Sequence, residues 1–374
     1  MKNWNTEVWD EVLTIKNGKN QKKVLNPNGA YPIYGSGGVM GFADDYLCEE
    51  ETTIIGRKGS INNPIYVRTK FWNVDTAFGL CPGERLDNRF FFYFCLTYNF
   101  LKHNKATTLP SLTKADLLKI KIPLPPLPEQ KKIAEILDAA DSLRQKDQQL
   151  IDHYNTLSQS LFLDMFGDPV TNPMGWEKQL IGNVCSDIVD CVNKTAKVVA
   201  YETKYKMIRT TNVRFYKVDT SNVRYVEKGT YVKWVRRLTP QIGDIIFTRE
   251  APVGEAGILE SNDKVFLGQR IMEYRADNIH ANPYYLLYEL MGNNVKRQIR
   301  RLSSGSTVKH LSVPDCKKFL INVPPVSLQN QFAKHIQSLE KQKQQAQASL
   351  QKSEDLFNSL LQKAFKGELT HKKT

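Results

Sequence analysis

The sequence contains no long apolar run, either near its N-terminus or elsewhere. A membrane-spanning helix needs about 20 consecutive apolar residues, whereas the mean hydropathy of this chain is −0.44. The opening residues, MKNWNTEVWDEV, also lack the apolar segment of a secretory signal. We therefore expect neither a membrane span nor secretion, and we expect a cytoplasmic protein.

The cysteines are few and scattered. None of the six lies in a CxxC pair or beside a cluster of histidines. They are Cys48, Cys81, Cys95, Cys185, Cys191 and Cys316. This spacing favours reduced thiols over a disulfide framework or a zinc site, so we expect no bound metal.

Motifs of the common catalytic sites are missing as well. The Asp/Asn/Ser-Pro-Pro-Tyr/Phe loop of adenine methyltransferases has no match, since NVPPV at 322–326 and NPYY at 282–285 both fail. The chain has no GxxxxGKS or GxxxxGKT phosphate loop, no HExxH and no GxSxG. The one Pro-Asp pair, Pro314-Asp315, does not belong to a nuclease constellation. We expect a non-catalytic chain without a cofactor.

Length and charge indicate a basic protein of more than one domain. A chain of 374 residues, 41% hydrophobic and 24% charged, is typical of globular proteins with two domains. The net charge of +13 divides into +4 over residues 1–127, −3 over 128–166, +8 over 167–326 and +4 over 327–374. A basic excess attracts a polyanion such as nucleic acid, although charge alone fits a role in solubility equally well.

An internal repeat organises the chain. The stretch LTKADLLKIKIPLPPLPEQ at 112–130 returns as LSVPDCKKFLINVPPVSLQ at 311–329. The spacing between copies stays constant from Leu112 and Leu311 through to Phe166 and Phe365. A spacing kept over more than fifty positions indicates a true duplication.

A long helix is predicted after the prolines of each copy. Apolar residues recur at spacings of three and four from Ile133 to Leu161, interrupted only by Asp147, and again from Phe332 to Ala364. Each helix of about 39 residues would extend roughly 58 Å. Neither apolar stripe can be buried on its own helix, so we predict an antiparallel coiled coil with a pseudo-two-fold axis. Two separate helices, each packed on its own domain, are the alternative.

A strand-rich block precedes each helix. Runs of β-branched and aromatic residues predict strands at 52–56, 64–68 and 90–96 in the first block and at 205–209, 243–248 and 270–275 in the second. The blocks open alike, with Trp4 and Val8 matching Trp176 and Leu180, but their interiors share little. The fold class is therefore α+β, with domains at 1–127 and 167–326 and spacer helices at 128–166 and 327–374.

Three groups of motifs place this arrangement in a known family. They are IPLPPLPEQKKIAEILDAAD at 122–141, YPIYGSGGVMGFADDYL at 31–47 with TIIGRKGSI at 53–61, and GDIIFTREAPVG at 243–254. Over nearly its whole length the chain resembles the specificity (S) subunit of type I restriction-modification enzymes. Its second spacer, VPPVSLQNQFAKHIQSLEKQ, is a diverged copy of the first.

The resemblance implies two α/β target-recognition domains separated by two conserved spacer helices. Each domain would read one half of a bipartite, asymmetric site in double-stranded DNA, while the chain itself would be non-catalytic. Its partners would be two methyltransferase subunits, which supply adenine-N6 methylation, and restriction subunits, which supply an ATP-dependent motor and a nuclease.

Candidate DNA contacts in the first domain lie in two segments. Gly35, Ser36, Gly37 and Gly38 form a loop where backbone N–H groups can approach a phosphate or a base edge; a tight hairpin turn without a ligand is the alternative. Arg57, Lys58, Gly59 and Ser60 follow a predicted strand, and an arginine there can pair with guanine. A solvated turn is the alternative for this segment.

Candidate contacts in the second domain are basic or hydroxyl-bearing residues near predicted strand ends and in the loop before the repeat. They are Arg209, Thr210, Thr211, Asn212, Arg236, Arg237, Arg249, Arg300, Arg301, Ser303 and Ser304. Most of them should contact phosphates and only a few should read bases. Arg270 fits a structural ion pair equally well, His310 is expected to be structural or exposed, and the aromatic run 90–94 is expected to be core.

Two other functions are compatible with parts of the sequence. A coiled-coil scaffold without DNA specificity would explain the helices but not the basic domains or the family motifs. A recognition half detached from a single-chain methyltransferase-nuclease would explain one domain, and the complete double repeat argues against it.

Overall fold

The computed structural model describes residues 4–302 and 310–370, which form two units. Unit 1 comprises the described residues up to Gln149 together with those from Ala346 onward, and unit 2 comprises Leu150–Gln345. Each unit holds one strand-rich domain and segments of two long helices. No helix in the described ranges is long and apolar enough to cross a membrane.

Short strands of unit 1 form three small sheets. The strands are β1 (Thr6–Val8), β2 (Leu13–Asn17), β3 (Tyr31–Gly35), β4 (Gly38–Ala43), β5 (Thr52–Gly56), β6 (Ile65–Val67), β7 (Trp72–Asn73), β8 (Ala77–Pro82) and β9 (Lys121–Pro123). An antiparallel sheet has the order β2-β8-β5-β6, a second sheet has the order β4-β3-β7 with β3 and β7 parallel, and β1 pairs with β9. The predicted strands at 52–56 and 64–68 are confirmed as β5 and β6.

The segment 90–96, predicted as a strand, is helical. The helices that begin in unit 1 are α1 (Trp9–Val12), α2 (Asn88–Thr97), α3 (Lys114–Leu117) and α4 (Leu127–Phe166). Asp87 caps α2 by accepting hydrogen bonds from the N–H groups of Arg89 and Phe90. The strand prediction was wrong because a short, uniformly apolar run does not distinguish a buried helix from a buried strand. The run is core, as expected, and the Phe90 ring lies 5.1 Å from that of Phe365.

The largest sheet of unit 2 has six strands, compared with four in unit 1. The strands of unit 2 are β10 (Glu177–Leu180), β11 (Cys185–Asp190), β12 (Val198–Val199), β13 (Tyr205–Ile208), β14 (Val213–Arg214), β15 (Tyr216–Val218), β16 (Arg224–Val226), β17 (Ile245–Thr248), β18 (Ala256–Ile258), β19 (Lys264–Leu267), β20 (Ile271–Ala276) and β21 (Leu320–Val323). The sheet orders are β11-β20-β17-β18-β15-β14, β12-β16-β13-β19 and β10-β21. The predicted strands at 205–209, 243–248 and 270–275 are therefore confirmed as β13, β17 and β20.

Five α-helices begin in the described part of unit 2. They are α5 (Lys228–Trp234), α6 (Pro283–Met291), α7 (Asn293–Leu302), α8 (Val313–Cys316) and α9 (Val326–Phe365). α6 occupies the place of α2, because Asn282 caps it and its aromatic side chains pack on the long helices. The Tyr285 ring, for example, lies 4.8 Å from that of Phe166.

The predicted antiparallel pairing of the long helices is confirmed within each unit. In unit 1, Leu137 near the start of α4 shares a buried cluster with Phe357 near the end of α9. In unit 2 the ends are exchanged, since Phe162 near the end of α4 lies 5.6 Å from Phe332 near the start of α9, ring centroid to ring centroid. The two helices thus run in opposite directions in both units.

Asp147, the polar residue that interrupts the apolar stripe of α4, lies at the helix contact of unit 1. It is buried, and the Ser349 hydroxyl of α9 approaches both of its carboxylate oxygens at 3.2 Å. A buried carboxylate is costly unless hydrogen bonded. The serine therefore compensates for the interruption that the sequence shows.

Candidate nucleic-acid interface

The glycine-rich loop of unit 1 is a hairpin turn between β3 and β4. Gly35 pairs with Gly38, which leaves Ser36 and Gly37 at the turn. Gly38 has φ +120°, a conformation that favours glycine. A Cβ added at Gly37 would meet nothing within 4 Å, so its backbone is open to a ligand. Its contact with DNA stays a prediction.

The second predicted segment of unit 1, Arg57–Ser60, adjoins this hairpin. A Cβ added at Gly56 would lie 3.0 Å from the Cβ of Ser36, and one added at Gly59 would lie 3.6 Å from the Ser36 hydroxyl. The fold therefore brings together two loops that are about twenty residues apart in the sequence. Neither loop by itself indicates this proximity.

Backbone hydrogen bonds hold Arg57 on both sides. Its N–H donates to Thr76 O at 2.8 Å, and its own carbonyl accepts from Leu112 N–H at 2.9 Å. The guanidinium carbon lies 5.9 Å from the centre of the Phe78 ring, within cation–π range. The loop is thus fixed in place.

Unit 2 repeats this frame with different residues. In unit 1, β3 and β7 are parallel, and Val74 N–H donates to Tyr34 O at 2.9 Å. In unit 2, β13 and β19 are parallel, and Gly268 N–H donates to Ile208 O at 2.8 Å. The predicted segment Arg209–Asn212 directly follows β13 and so takes the position of the unit 1 hairpin.

Arg249 of unit 2 occupies the position of Arg57. Its N–H donates to Arg270 O at 2.8 Å, and its carbonyl accepts from Leu311 N–H at 3.1 Å. Its side chain also donates from Nη1 to Leu311 O at 3.0 Å. Both arginines were singled out from the sequence, but their equivalence was not. The order of the motifs, an arginine after a buried strand and later a leucine at the start of the repeat, is the signal that could have found it.

Several predicted side chains of unit 2 hold loops within the protein. Arg237 donates from Nη1 to Asp190 at 2.6 Å. The buried Asn212 amide accepts from Arg209 N–H at 3.0 Å and donates to Asn222 O at 2.7 Å. Base reading by Asn212 would require these bonds to break, so the structure favours a positioning role for it.

The other predicted residues of unit 2 differ in their surroundings. Thr211, Arg236, Arg300 and Arg301 are exposed, whereas Arg209 and Thr210 are half-buried. Ser303 and Ser304 lie outside the described residues. Their contacts with DNA stay predictions.

A basic cleft at α7 was only partly found from the sequence. Lys178, Arg297 and Arg301 line it together with polar and aliphatic residues, and none of the described residues that line it is a carboxylate. Gln298, which also lines the cleft, is held in place by donating to Leu320 O at 2.7 Å and accepting from Leu320 N–H at 2.9 Å. An arrangement of this kind suits a phosphate group.

A charged cluster beside Arg249 was missed. Arg270 lies in the turn between β19 and β20, and its Nε is 3.2 Å from Glu250 Oε2. The other oxygen of Glu250 accepts a hydrogen bond from Nδ1 of His310. These residues lie twenty and forty positions apart in the sequence, which is why no local motif reveals them.

Two buried carboxyl groups of unit 2 have raised pKa values. Burial and the neighbouring Asp244 raise the pKa of Glu273 to about 9, while Arg275 donates to Asp244 at 2.7 and 2.8 Å. Burial raises the pKa of Glu289 to about 7 although it accepts from Asn322 N–H at 2.9 Å. Both groups belong to the core. Within the described ranges, His, Cys, Asp and Glu form no group of three or more that could hold a metal.

The two units, each with a basic loop cluster and an antiparallel helix segment, define a DNA-recognition protein with a duplicated frame. The chain belongs to the family of type I restriction-modification specificity proteins. The sequence model of the "Type I restriction modification DNA specificity domain" matches residues 1–152 and 175–352.

Relatives and solved structures agree with this assignment. A putative type I restriction enzyme specificity subunit of Haemophilus influenzae is 24% identical over 88% of this chain and 86% of its own length. The EcoBI specificity subunit of Escherichia coli is 21% identical over 87% and 75%. The fold is similar to the crystal structure of the S subunit from M. genitalium, with a TM-score of 0.65 and 16% identity over 97% and 96% of the two chains.

Proposed function

We propose that this chain reads a bipartite, asymmetric DNA site, one part through unit 1 and the other through unit 2. The observation that carries the proposal is the repeated loop frame around Arg57 and Arg249. The backbone bonds are the same in both units while the loop side chains differ. The same backbone frame carrying two different sets of side chains is suited to reading two DNA half-sites that differ in sequence but share the geometry of the duplex.

We assign different roles to the side chains at and near the loops of each unit. The exposed cations Lys58, Arg236 and Arg300 and the cleft formed by Lys178 and Arg297 contact phosphates and fix the register of the protein on the duplex. Base reading belongs to the few side chains that are exposed and also held in one orientation.

The chain itself performs no chemistry in this proposal, and separate subunits supply it. Two methyltransferase subunits bind the helix pair, and motor-nuclease subunits join them for restriction. Leu356 in unit 1 and Leu157 in unit 2 are equivalent positions of the repeat, and both are largely exposed, at 46% and 49%. Two equivalent apolar contacts support two copies of one partner.

The proposal is tested by co-expressing the chain with its methyltransferase subunit and mapping N6-methyladenine across the host genome. We expect methylation at one bipartite, asymmetric motif, which disappears when the gene for this chain is deleted. A soluble complex without motif-dependent methylation would contradict the proposal and favour the scaffold alternative.

A further inference from the structure

We propose that Arg270 determines part of the base specificity of unit 2 by donating two hydrogen bonds to a guanine, and that Glu250 positions its guanidinium for this contact. This inference rests on the proposed function, because it requires unit 2 to read DNA. It names a residue for which the sequence favoured a DNA contact and a structural ion pair equally.

The geometry of Arg270 suits base reading. Its Nε is 3.2 Å from Glu250 Oε2, and 58% of its side chain is exposed. With Nε paired to the carboxylate, Nη1 and Nη2 are the guanidinium donors that Arg270 can offer to another acceptor. Two parallel N–H donors match the O6 and N7 acceptors that guanine presents in the major groove.

Glu250 is itself fixed, which makes it an effective positioning residue. One carboxylate oxygen faces Arg270, and the other accepts from Nδ1 of His310. The backbone of Arg270 is held by the 2.8 Å bond from Arg249 N–H to its carbonyl. An arginine restricted in this way loses less conformational entropy on binding than a freely moving one.

Backbone strain gives independent support. Arg270 has φ +72°, in the left-handed region that glycine adopts readily and a long side chain adopts only at a cost. Strained residues of this kind concentrate at functional sites. An arginine at a position better suited to glycine indicates that its side chain is needed there.

The cluster is also specific to unit 2. The hydrogen bonds of the frame align Arg270 with Thr76, Glu250 with Lys58 and His310 with Ser111 of unit 1. In unit 1 the contacts described within this set are made by the backbone: Lys58 and Ser111 form a bridge, and Lys58 N–H donates to Thr76 O at 3.2 Å. Residues that determine base specificity should differ between two domains that read different half-sites. The set Arg270, Glu250 and His310 meets this expectation, because it differs from its counterpart in an otherwise equivalent loop.

The test uses the full chain co-expressed with its methyltransferase subunit, and the probe is the host genome mapped for N6-methyladenine. The variants are Arg270→Gly, Arg270→Lys and Glu250→Gln, with Arg224→Ala as an exposed-arginine control on β16 of the same unit. We expect Arg270→Gly to relax one G·C position in one half of the motif, lowering the preference for that base pair by about 10-fold or more. Arg270→Lys should relax the same position, and Glu250→Gln should do so to a smaller extent.

Stability separates this role from a structural one. Because glycine relieves the strain at φ +72°, Arg270→Gly should unfold at the same or a higher temperature while specificity is lost. An unchanged motif in all variants, a uniform loss of methylation without a change of motif, or unfolding of both Arg270 variants would overturn the inference. Absence of motif-dependent methylation with the unaltered chain would instead reject the proposed function.

Discussion

Gln130 and Gln329 make the same three hydrogen bonds in the two units. Each fully buried side chain donates to the first carbonyl of its Pro-Pro pair and to a loop carbonyl, and accepts from the N–H of the residue that caps α2 or α6. Gln130 donates to the carbonyls of Pro125 (2.8 Å) and Arg85 (3.0 Å) and accepts from the N–H of Asp87 (2.8 Å). Gln329 donates to the carbonyls of Pro324 (2.8 Å) and His280 (3.3 Å) and accepts from the N–H of Asn282 (2.8 Å). The glutamine thus joins the long helix to the domain in each unit.

Replacing either glutamine is expected to destabilise its unit. Gln130→Ala and Gln329→Ala each leave buried backbone groups without partners, and we expect the free energy of unfolding to fall by about 2–4 kcal/mol. Gln149→Ala, at an exposed position of α4, is the matched control and should change it by less than about 0.5 kcal/mol. Urea unfolding measures the difference. Midpoints equal to that of the control would show that water replaces these bonds at little cost.

The helix pair could be predicted from the sequence, because a repeat kept over fifty positions and an apolar stripe are periodic signals. Runs of β-branched and aromatic residues predicted six strands, and five of these are confirmed among the 21 strands of the described residues. The equivalence of Arg57 and Arg249 is defined by backbone hydrogen bonds, which place no demand on side-chain identity, so only the order of the motifs in the sequence could have indicated it. The pairing of Arg270 with Glu250 depends on a turn meeting a loop after folding. Neither the proximity of these two residues nor the positive φ of Arg270 can be predicted from the local sequence.

The buried Glu273 makes the stability of unit 2 depend on pH. Its pKa is raised from 4.5 to about 9, so the folded state holds the proton more tightly than the unfolded state. This contribution is fully present below pH 4.5 and is lost as the pH rises towards 9, by at most about 1.4 kcal/mol per pH unit. Glu289, whose pKa is about 7, contributes in the same sense only up to about neutral pH.

Glu273→Gln is therefore expected to remove the fall in stability between pH 7 and 9 and to raise the free energy of unfolding at pH 8. The amide keeps the shape of the protonated carboxyl but cannot ionise. Glu177→Gln, at an exposed position of β10, serves as the control. Thermal unfolding at several pH values gives the comparison, and parallel curves for the variant and the parent chain would disprove the assignment.

A substitution at Gly37, in the hairpin of unit 1, distinguishes the two interpretations of that loop, which are a DNA contact and a turn without a ligand. Gly37→Ala adds a methyl group that meets nothing within 4 Å in the protein, so we expect stability to change by less than about 0.5 kcal/mol. If DNA approaches this backbone closely, the same methyl group should weaken binding of the assembled complex to its motif about 10-fold or more. Gly229→Ala, equally open but on α5, is the control. Unchanged binding would leave the segment as a turn without a ligand.

The exposed leucines of the long helices predict the number of methyltransferase subunits. Leu356 and Leu157 are equivalent in the repeat but lie in different units. If each contacts one methyltransferase subunit, Leu356→Asp or Leu157→Asp should reduce the bound copies from two to one, because a charge at an apolar contact is costly to desolvate. The mass of the purified complex measures this, with Ile279→Asp as a control at an exposed apolar position outside the helices. Two bound copies in both variants would place the partner contacts on other faces of the helices.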